Sequence, residues 1–356
     1  MRCGFSSSGS VDPSPDGCRR LGEVKEAVGA VHSTLDDFLV RGTADLTVVS
    51  APIHRHADLT VRALEHGSHV LCEKPVGGSL DDLKRMKAAE RSTGLSVAIG
   101  FQWSFSRAIE RIRAHAAEGR FGAPRRFRSL SSWPRGLNYY ARAPWAGRVR
   151  LENGTWVRDS PVNNATAHYL HNMLFVLERA ETAGLRVDSV SAELYRANAI
   201  ESFDTPALRV VTEAGTEVLV YTTHAVKSVV EPMTVMEFDD AVVRHQCPGS
   251  FVAVMSGGHR EDYGNPDTGP REKLERVVSD IRSGRRPACT LDYASHQLLV
   301  ACSLDHDSGI VDFPSEIVER TNGVWVSGVT EALVQAYANG VLPHELGNVD
   351  WARPAR

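Results

Sequence analysis

Two short stretches of this sequence concentrate side chains that handle protons and hydroxyl groups. Glu73-Lys74-Pro75 closes an apolar run, His69-Val70-Leu71-Cys72, that reads as a buried strand. Ligands of open α/β sheets bind beyond the carboxyl ends of the strands. Proline holds the residue before it extended, so the Lys74 ammonium would be aimed. It could hold a substrate hydroxyl or carboxylate, or lower the pKa of a hydroxyl being oxidised. The alternative is a solvated lysine at a strand end. The second stretch runs from Asp159 to Asn172. On a helix, positions 164, 168, 171, 172 and 175 share one side. That side carries Asn164, His168, His171 and Asn172, opposite Leu170, Met173, Leu174 and Leu177. Such a polar stripe can line a cleft with a proton acceptor and hydrogen-bond donors. Between the two stretches, Trp133 to Arg148 interleaves aromatics, arginines and glycines. Rings stack on the CH faces of sugars while guanidinium groups hold hydroxyls or a carboxylate. Otherwise this is a packed loop with arginines reaching solvent. Arg142, Trp145 and Arg148 are its binding candidates.

The elements that must position these residues follow from periodicity. Leu46 to Ser50 reads as a strand, Ala57 to Glu65 as a helix ended by Gly67, and His69 to Lys74 as a strand. Ser79 with Asp82 opens the next helix as a capping box, and Leu95 to Gly100 is a third strand. Strand, helix, strand, helix, strand means parallel βαβ units. A strand over Arg125 to Ser131 and the aromatic loop follow. A helix then begins near Ser160-Pro161 and runs to about Arg179. Period-two strands are expected at Ser189–Tyr195, Leu208–Thr212, Glu217–Thr223 and Met233–Phe238, and helices at Arg271–Ser283, Tyr293–Asp305 and Gly328–Asn339.

The run from Val48-Val49-Ser50-Ala51-Pro52 to His56, then Gly67-Ser68-His69-Val70-Leu71-Cys72-Glu73-Lys74-Pro75, resembles the Gfo/Idh/MocA oxidoreductase family. Its members carry a Thr-Pro-like turn with a downstream histidine, then a Gly-x-His-Val-x-x-Glu-Lys-Pro strand. Ala98-Ile99-Gly100-Phe101-Gln102 resembles the next family strand, and the likeness extends to about residue 310. The resemblance implies an α/β fold: an incomplete Rossmann-like parallel-sheet domain, residues 1–119, then an α+β domain, residues 120–356, with a large open, mostly antiparallel sheet. It implies NAD or NADP bordered by Asp12, Ser50, Pro52, His56, Glu73, Lys74 and Gln102, and a sugar, inositol or similar polyol as substrate. The family's histidine, acting beside the lysine, aligns with His168, and its two acidic positions align with Asn164 and His171. An amide takes no proton at neutral pH, which leaves Asn164 to position substrate, while His171 could assist at the substrate or be structural. Lys74 would stabilise the reacting oxygen and His168 would take its proton. The family's Gly-x-Gly-x-x-Gly turn, which cradles pyrophosphate at a helix N-terminus, has no counterpart here. Val11-Asp12-Pro13 resembles the end of the second family strand, so the chain as written is expected to bind a dinucleotide poorly. Either the gene start is placed too late or the grip has been lost. Two other readings stay open: an NAD-assisted glycoside-cleaving or eliminating enzyme, and a catalytically silent sugar-binding or regulatory protein.

Composition narrows the rest. The 356 residues suggest two domains, at roughly 150 residues each. Forty basic and 44 acidic residues without a basic run give no support to nucleic-acid binding. No stretch approaches a membrane span or a signal peptide, so a cytoplasmic protein is expected. The six cysteines show no CxxC pair and no metal site is expected. Apolar strands in the second half leave a sheet face to be covered, which points to a homodimer or homotetramer.

Overall fold

The computed structural model describes residues 6–40, 42, 44–304, 309–321 and 323–354, so the tail of the expected helix at Asp305 lies outside the described residues. β1 (Ser10–Val11) leads through α1 (Leu21–Val28) to β2 (Val31–His32), which pairs with it in parallel; α2 (Leu35–Leu39), capped by Thr34, follows. The central unit comprises β3 (Leu46–Val49), α3 (His56–Glu65), β4 (His69–Cys72), α4 (Leu80–Thr93) and β5 (Val97–Ile99). Its three strands are parallel, in the order β3-β4-β5. β4 lies in the middle, and Val70, Leu71 and Cys72 are all buried. A strand covered on both faces reads as a continuous apolar run rather than an alternation. The capping expectation at α4 is met: Ser79 Oγ accepts the Asp82 N–H at 3.1 Å, and Gly94 ends the helix in the left-handed conformation. β1 and β2 form a sheet of their own, so β3 presents an edge on which Val48 is 49% exposed.

The second half begins with α5 (Arg107–Ala117) and β6 (Pro124–Ser132); α6 (Leu137–Tyr140) is a single turn inside the aromatic loop. Ser160 caps a π-helical turn, Pro161–Ala165, that leads into α7 (Ala167–Ala180). β7 (Val187–Arg196), β8 (Thr205–Thr212), β9 (Glu217–Thr223), β10 (Val230–Phe238), β11 (Ala241–Gln246), β12 (Phe251–Met255) and β13 (Arg260–Gly264) follow. Then come α8 (Pro270–Arg282), α9 (Leu291–Ser303), β14 (Ile310–Asp312), the hairpin of β15 (Val318–Glu319) and β16 (Trp325–Val326), and α10 (Val329–Asn339). The large sheet has nine strands in the order β13-β12-β11-β10-β6-β9-β8-β7-β14, antiparallel except at β6/β9 and β7/β14. One face packs on α7, through Leu170, Met173, Leu174 and Leu177 against Phe127, Leu208 and Val218. On the other face, Leu333, Ala336 and Trp351 lie with Leu130, Tyr195, Leu219 and Tyr221, so the chain itself covers much of the apolar surface that pointed to a partner. Among the described residues no helix is long and apolar enough to cross a membrane.

The expected boundary at residue 119/120 is crossed. α8 and α9 return to the parallel sheet, where Val277, Cys289, Leu291, Ala294 and Leu298 join the core of β3, β4 and β5. The Ile99 N–H donates to Cys289 O at 2.9 Å, and Thr290 bridges to Ala98. The two units also meet at Gly78, where an added Cβ would stand 2.2 Å from Trp156 O. Backbone cannot yield as a flexible side chain can, so Gly78→Ala is expected to cost about 1–3 kcal/mol through overpacking. Chemical denaturation would show this as a lower midpoint. The exposed Gly17, with open space around it, serves as the control whose alanine variant leaves the midpoint within about 0.5 kcal/mol of wild type.

Candidate active site

The parallel sheet delivers Lys74 to a half-buried position just past β4. Its Nζ donates to Asn164 O at 2.7 Å and to Asn164 Oδ1 at 3.0 Å. Asn164 is the hub. Its Nδ2 donates to Asp159 Oδ1 at 2.7 Å, while Asp159 Oδ2 accepts from Gly147 N at 2.7 Å and from Arg142 Nη2 at 3.2 Å. The chain Lys74–Asn164–Asp159–Arg142 therefore joins the strand end, the π-helical turn and the aromatic loop in one network. Asp159 is 4% exposed, so its charge is neutralised inside the protein by donors on two sides. Arg158, just before it, has a φ of +48°, a conformation that costs a non-glycine residue about 1–3 kcal/mol. Its guanidinium bonds Gly78 O and stacks on Trp156 at 3.6 Å. Burial pushes the Lys74 pKa down to about 8, against the pull of Glu73 and Asp159; Lys273 and Arg142 add to the drop.

Lys273, which the sequence pattern does not single out, reaches this site from α8. It is buried and forms an ion pair with Glu73. Glu73 thus spends its carboxylate on Lys273 beside the lysine it follows in sequence. Gln102, at the end of β5, donates to Asp267 Oδ1 at 2.7 Å and ties the approach to α8 in place. The only sequence-level trace of this wall is the amphipathic helix at Arg271–Ser283, whose buried lysine looks like a solvated one until α8 is folded back.

His168 faces this cluster, edge-on to Phe101 at 5.6 Å, and no described residue hydrogen-bonds its ring. Burial first, then the cations Lys74 and Lys273, hold its pKa down to about 3. It is neutral at physiological pH and a weak base there. The polar stripe expected along this helix does not line the cleft as a whole. The π-helical turn carries Asn164, and α7 beyond it is enclosed by α5, α9 and the sheet. His171 is 1% exposed, stacked on Phe101 at 3.8 Å, with Nε2 2.9 Å from Ser104 Oγ. That places it in the core behind His168 and away from substrate. Asn172 is buried too. Gln297 of α9, fully buried, donates to Val162 O at 2.9 Å and so holds the turn that presents Asn164.

Of the loop residues, Arg142 lies over Tyr139 and Trp145 at 3.9 and 4.7 Å. Arg148 is exposed and lines an open cavity with Arg142 and Gly147. His56, expected near a cofactor, is buried and does something else. Its Nδ1 lies 2.7 Å from Pro75 O and its Nε2 2.8 Å from Ala51 O. Both partners are acceptors, so the ring donates from both nitrogens and is an imidazolium. Burial opposes that charge, but the Cys72 sulfur and the two carbonyls outweigh it and hold the pKa up at about 9. His56 straps the turn after β3 to the turn after β4.

Those two adjacent turns, with Ser50 and Pro52 on one and Glu73 and Lys74 on the other, form a crevice beyond parallel strands where a dinucleotide binds in open α/β folds. The pyrophosphate end does not fit. Asp12 Oδ1 takes the Ser14 N–H at 2.8 Å in a tight turn beyond β1. In the glycine pair before α4, Gly77 is backed by Asp82 and Gly78 by Trp156 and Arg158. Among the described residues the crevice beyond β3 and β4 is present and a pyrophosphate cradle is not.

A lysine just beyond a parallel strand, facing a histidine at the start of α7, is thus the centre of the site that this fold assembles. Residues 8–101 match the family described as oxidoreductase family, NAD-binding Rossmann fold. The chain is 29% identical over 100 residues to 1,5-anhydro-D-fructose reductase of Ensifer adhaerens, covering 28% of this chain and 30% of that protein. It is 28% identical over 165 residues to inositol 2-dehydrogenase of Rubrobacter xylanophilus, covering 45% and 42%. The chain thus spans less than half the length of these curated relatives. In fold it is similar to the WlbA dehydrogenase of Bordetella pertussis solved with NADH and UDP-GlcNAcA, with a TM-score of 0.66 at 22% identity over 83% of this chain and 86% of that one. It is also similar to an oxidoreductase of Agrobacterium radiobacter solved with NAD+, L-tartaric acid and magnesium, with a TM-score of 0.67 at 16% identity over 85% and 88%.

The His56 strap has a pH signature. A histidine whose folded pKa exceeds its unfolded value of about 6.5 adds stability that is complete below that value and is lost as pH rises through about 9. Unfolding free energy of the wild type should therefore fall between about pH 6.5 and 9 relative to His56→Gln. Parallel denaturation curves for the two proteins across that range would show that the imidazole is not charged.

Proposed function

We propose that the protein is an NAD(P)-dependent oxidoreductase that interconverts a carbinol and a carbonyl on a sugar, inositol or similar polyol. The observation that carries this reading is Lys74: a half-buried ammonium beyond β4, oriented by both oxygens of Asn164 and facing neutral His168. Nicotinamide, when bound in the crevice, supplies the hydride acceptor or donor. The chain's own residues manage the oxygen and its proton. In the oxidation direction, unprotonated Lys74 takes the hydroxyl proton as the C–H electron pair leaves. In reduction its ammonium donates that proton back to the carbonyl oxygen. A lysine poised at about 8 suits both tasks. His168, being neutral, hydrogen-bonds the same oxygen and orients it. This reverses the sequence expectation that His168 is the base, because cations beside a buried imidazole resist its protonation. The Ser50–Pro52 turn would carry the cofactor beside Lys74. The matched dehydrogenases of inositol and anhydro sugars support the polyol class. A second reading, a silent sugar-binding protein, draws on the filled Gly77-Gly78 turn, and it predicts no NADH or NADPH binding in a fluorescence titration.

Turnover is to be tested with NAD and NADP against myo-inositol and 1,5-anhydro sugars. Lys74→Ala is expected to lower kcat by about 10²–10⁴ and His168→Ala by about tenfold or more. Oxidation in the wild type should accelerate as pH rises through about 8 and reduction should slow, and Lys74→Arg should abolish both inflections. Unchanged turnover in Lys74→Ala would defeat the assignment.

A further inference from the structure

Beyond Asp159, on the side away from Lys74, the aromatic loop and the β7–β8 connection enclose an open cavity of about 1060 Å³. Four guanidinium groups line it, from Arg142, Arg148, Arg196 and Arg320, against two carboxylates, Glu201 and Asp312. Their partners are unequal. Arg196 is paired with Asp312 at 2.7 Å, and Arg142 with Asp159 at 3.2 Å. Arg320 has only a carbonyl, Ala197 O at 2.8 Å. Arg148 is exposed, and among the described residues no group pairs with it. Among the described residues, two cations in this cavity therefore have no carboxylate partner.

The wall behind them is built. Asp204, fully buried, accepts from Ala197 N, Asn198 N, Asn198 Nδ2 and Thr205 Oγ1 at 2.8 to 3.2 Å. This fixes the segment that holds Asn198 in the cavity lining. Asn198 is 4% exposed, yet its Oδ1 is buried with no hydrogen-bond partner. An orphaned acceptor of this kind costs about 1–3 kcal/mol unless something donates to it. A hydroxyl donates, and a bare phosphate or sulfate does not when fully ionised.

We infer that this cavity binds a hydroxylated ligand bearing an anionic group, with Arg148 and Arg320 taking the oxyanion and Asn198 a hydroxyl. The inference rests on the polyol reading above and adds that the polyol is acidic. Arg142 belongs to both the cavity and the Lys74 network, so an acidic polyol seated here would lie against the same chain of bonds that orients Lys74. Carboxylate and phosphate share this chemistry, since guanidinium groups take either as a fork.

The test is calorimetric titration of the full chain, without cofactor, with D-glucuronate, D-glucose 6-phosphate and D-glucose at constant ionic strength. At least one anionic probe should bind about tenfold or more tightly than glucose, the equivalent of one charge-assisted hydrogen bond. The tighter of the two names the acid. Arg148→Gln and Arg320→Gln should each weaken that probe about tenfold and leave glucose unchanged; both side chains are exposed, so folding is not at stake. Asn198→Ala should weaken both sugars alike. Anions binding no tighter than glucose, or Arg variants equal to wild type, would overturn the inference. Failure of the oxidoreductase reading would show elsewhere, as turnover indifferent to Lys74, because this binding needs neither cofactor nor Lys74.

Discussion

A lysine side chain drawn partly out of water, with its charge held by a single asparagine, is the constraint around which this protein is arranged. Desolvating an ammonium is expensive unless every donor finds an acceptor. Asn164 supplies two acceptors to Lys74, and its own amide is then anchored on Asp159. Asp159 in turn depends on Arg142 and on the Gly147 backbone. A buried network of this kind is stable only when complete. Strand β4, the π-helical turn before α7 and the aromatic loop must therefore adopt their positions together.

The surrounding structure holds each end of that chain. His56 fastens the turn after β3 to Pro75, immediately beyond the lysine. Arg158 and Asn163 bond the carbonyls of Gly78 and Gly77, clamping the segment that follows. Gln297 reaches from α9 to hold the asparagine's turn, and Lys273 reaches from α8 to occupy Glu73. Both helices come from late in the chain and pack on the first sheet. The site is thus assembled from five separated segments, and its shape depends on the return of residues 270–304.

How much of this was legible in the sequence follows from the range of each interaction. β4 and its lysine announced themselves through a local pattern, an apolar run ended by proline. The caps at Ser79 and Ser160 were legible for the same reason. Helical spacing sets Asn164, His168 and His171 on one side, but the π-helical turn and the enclosure of α7 bury His171 against Phe101, which spacing alone does not reveal. Strands β11, β12 and β13 escaped notice because each is short and is fixed by pairing in succession, β11 on β10, β12 on β11 and β13 on β12. The return of α8 to the first sheet was not legible, because nothing in Pro270–Arg282 records which core its apolar side will join. Lys273 and His56 were invisible as partners of Glu73 and Pro75, since 200 and 19 residues separate those pairs in the chain. Among the described residues no glycine turn stands at the crevice beyond β3 and β4.

The central claim is that Asn164 and burial together set the charge of Lys74. Lysine-selective nitrogen NMR, titrated from pH 6 to 11 with Lys74→Arg to assign the resonance, tests it most directly. The account predicts that Lys74 titrates near 8, apart from lysines at the ordinary 10.5, and that Asn164→Asp raises its pKa by placing a carboxylate against the ammonium. A Lys74 resonance that titrates with the surface lysines, or one that Asn164→Asp leaves unmoved, would contradict it.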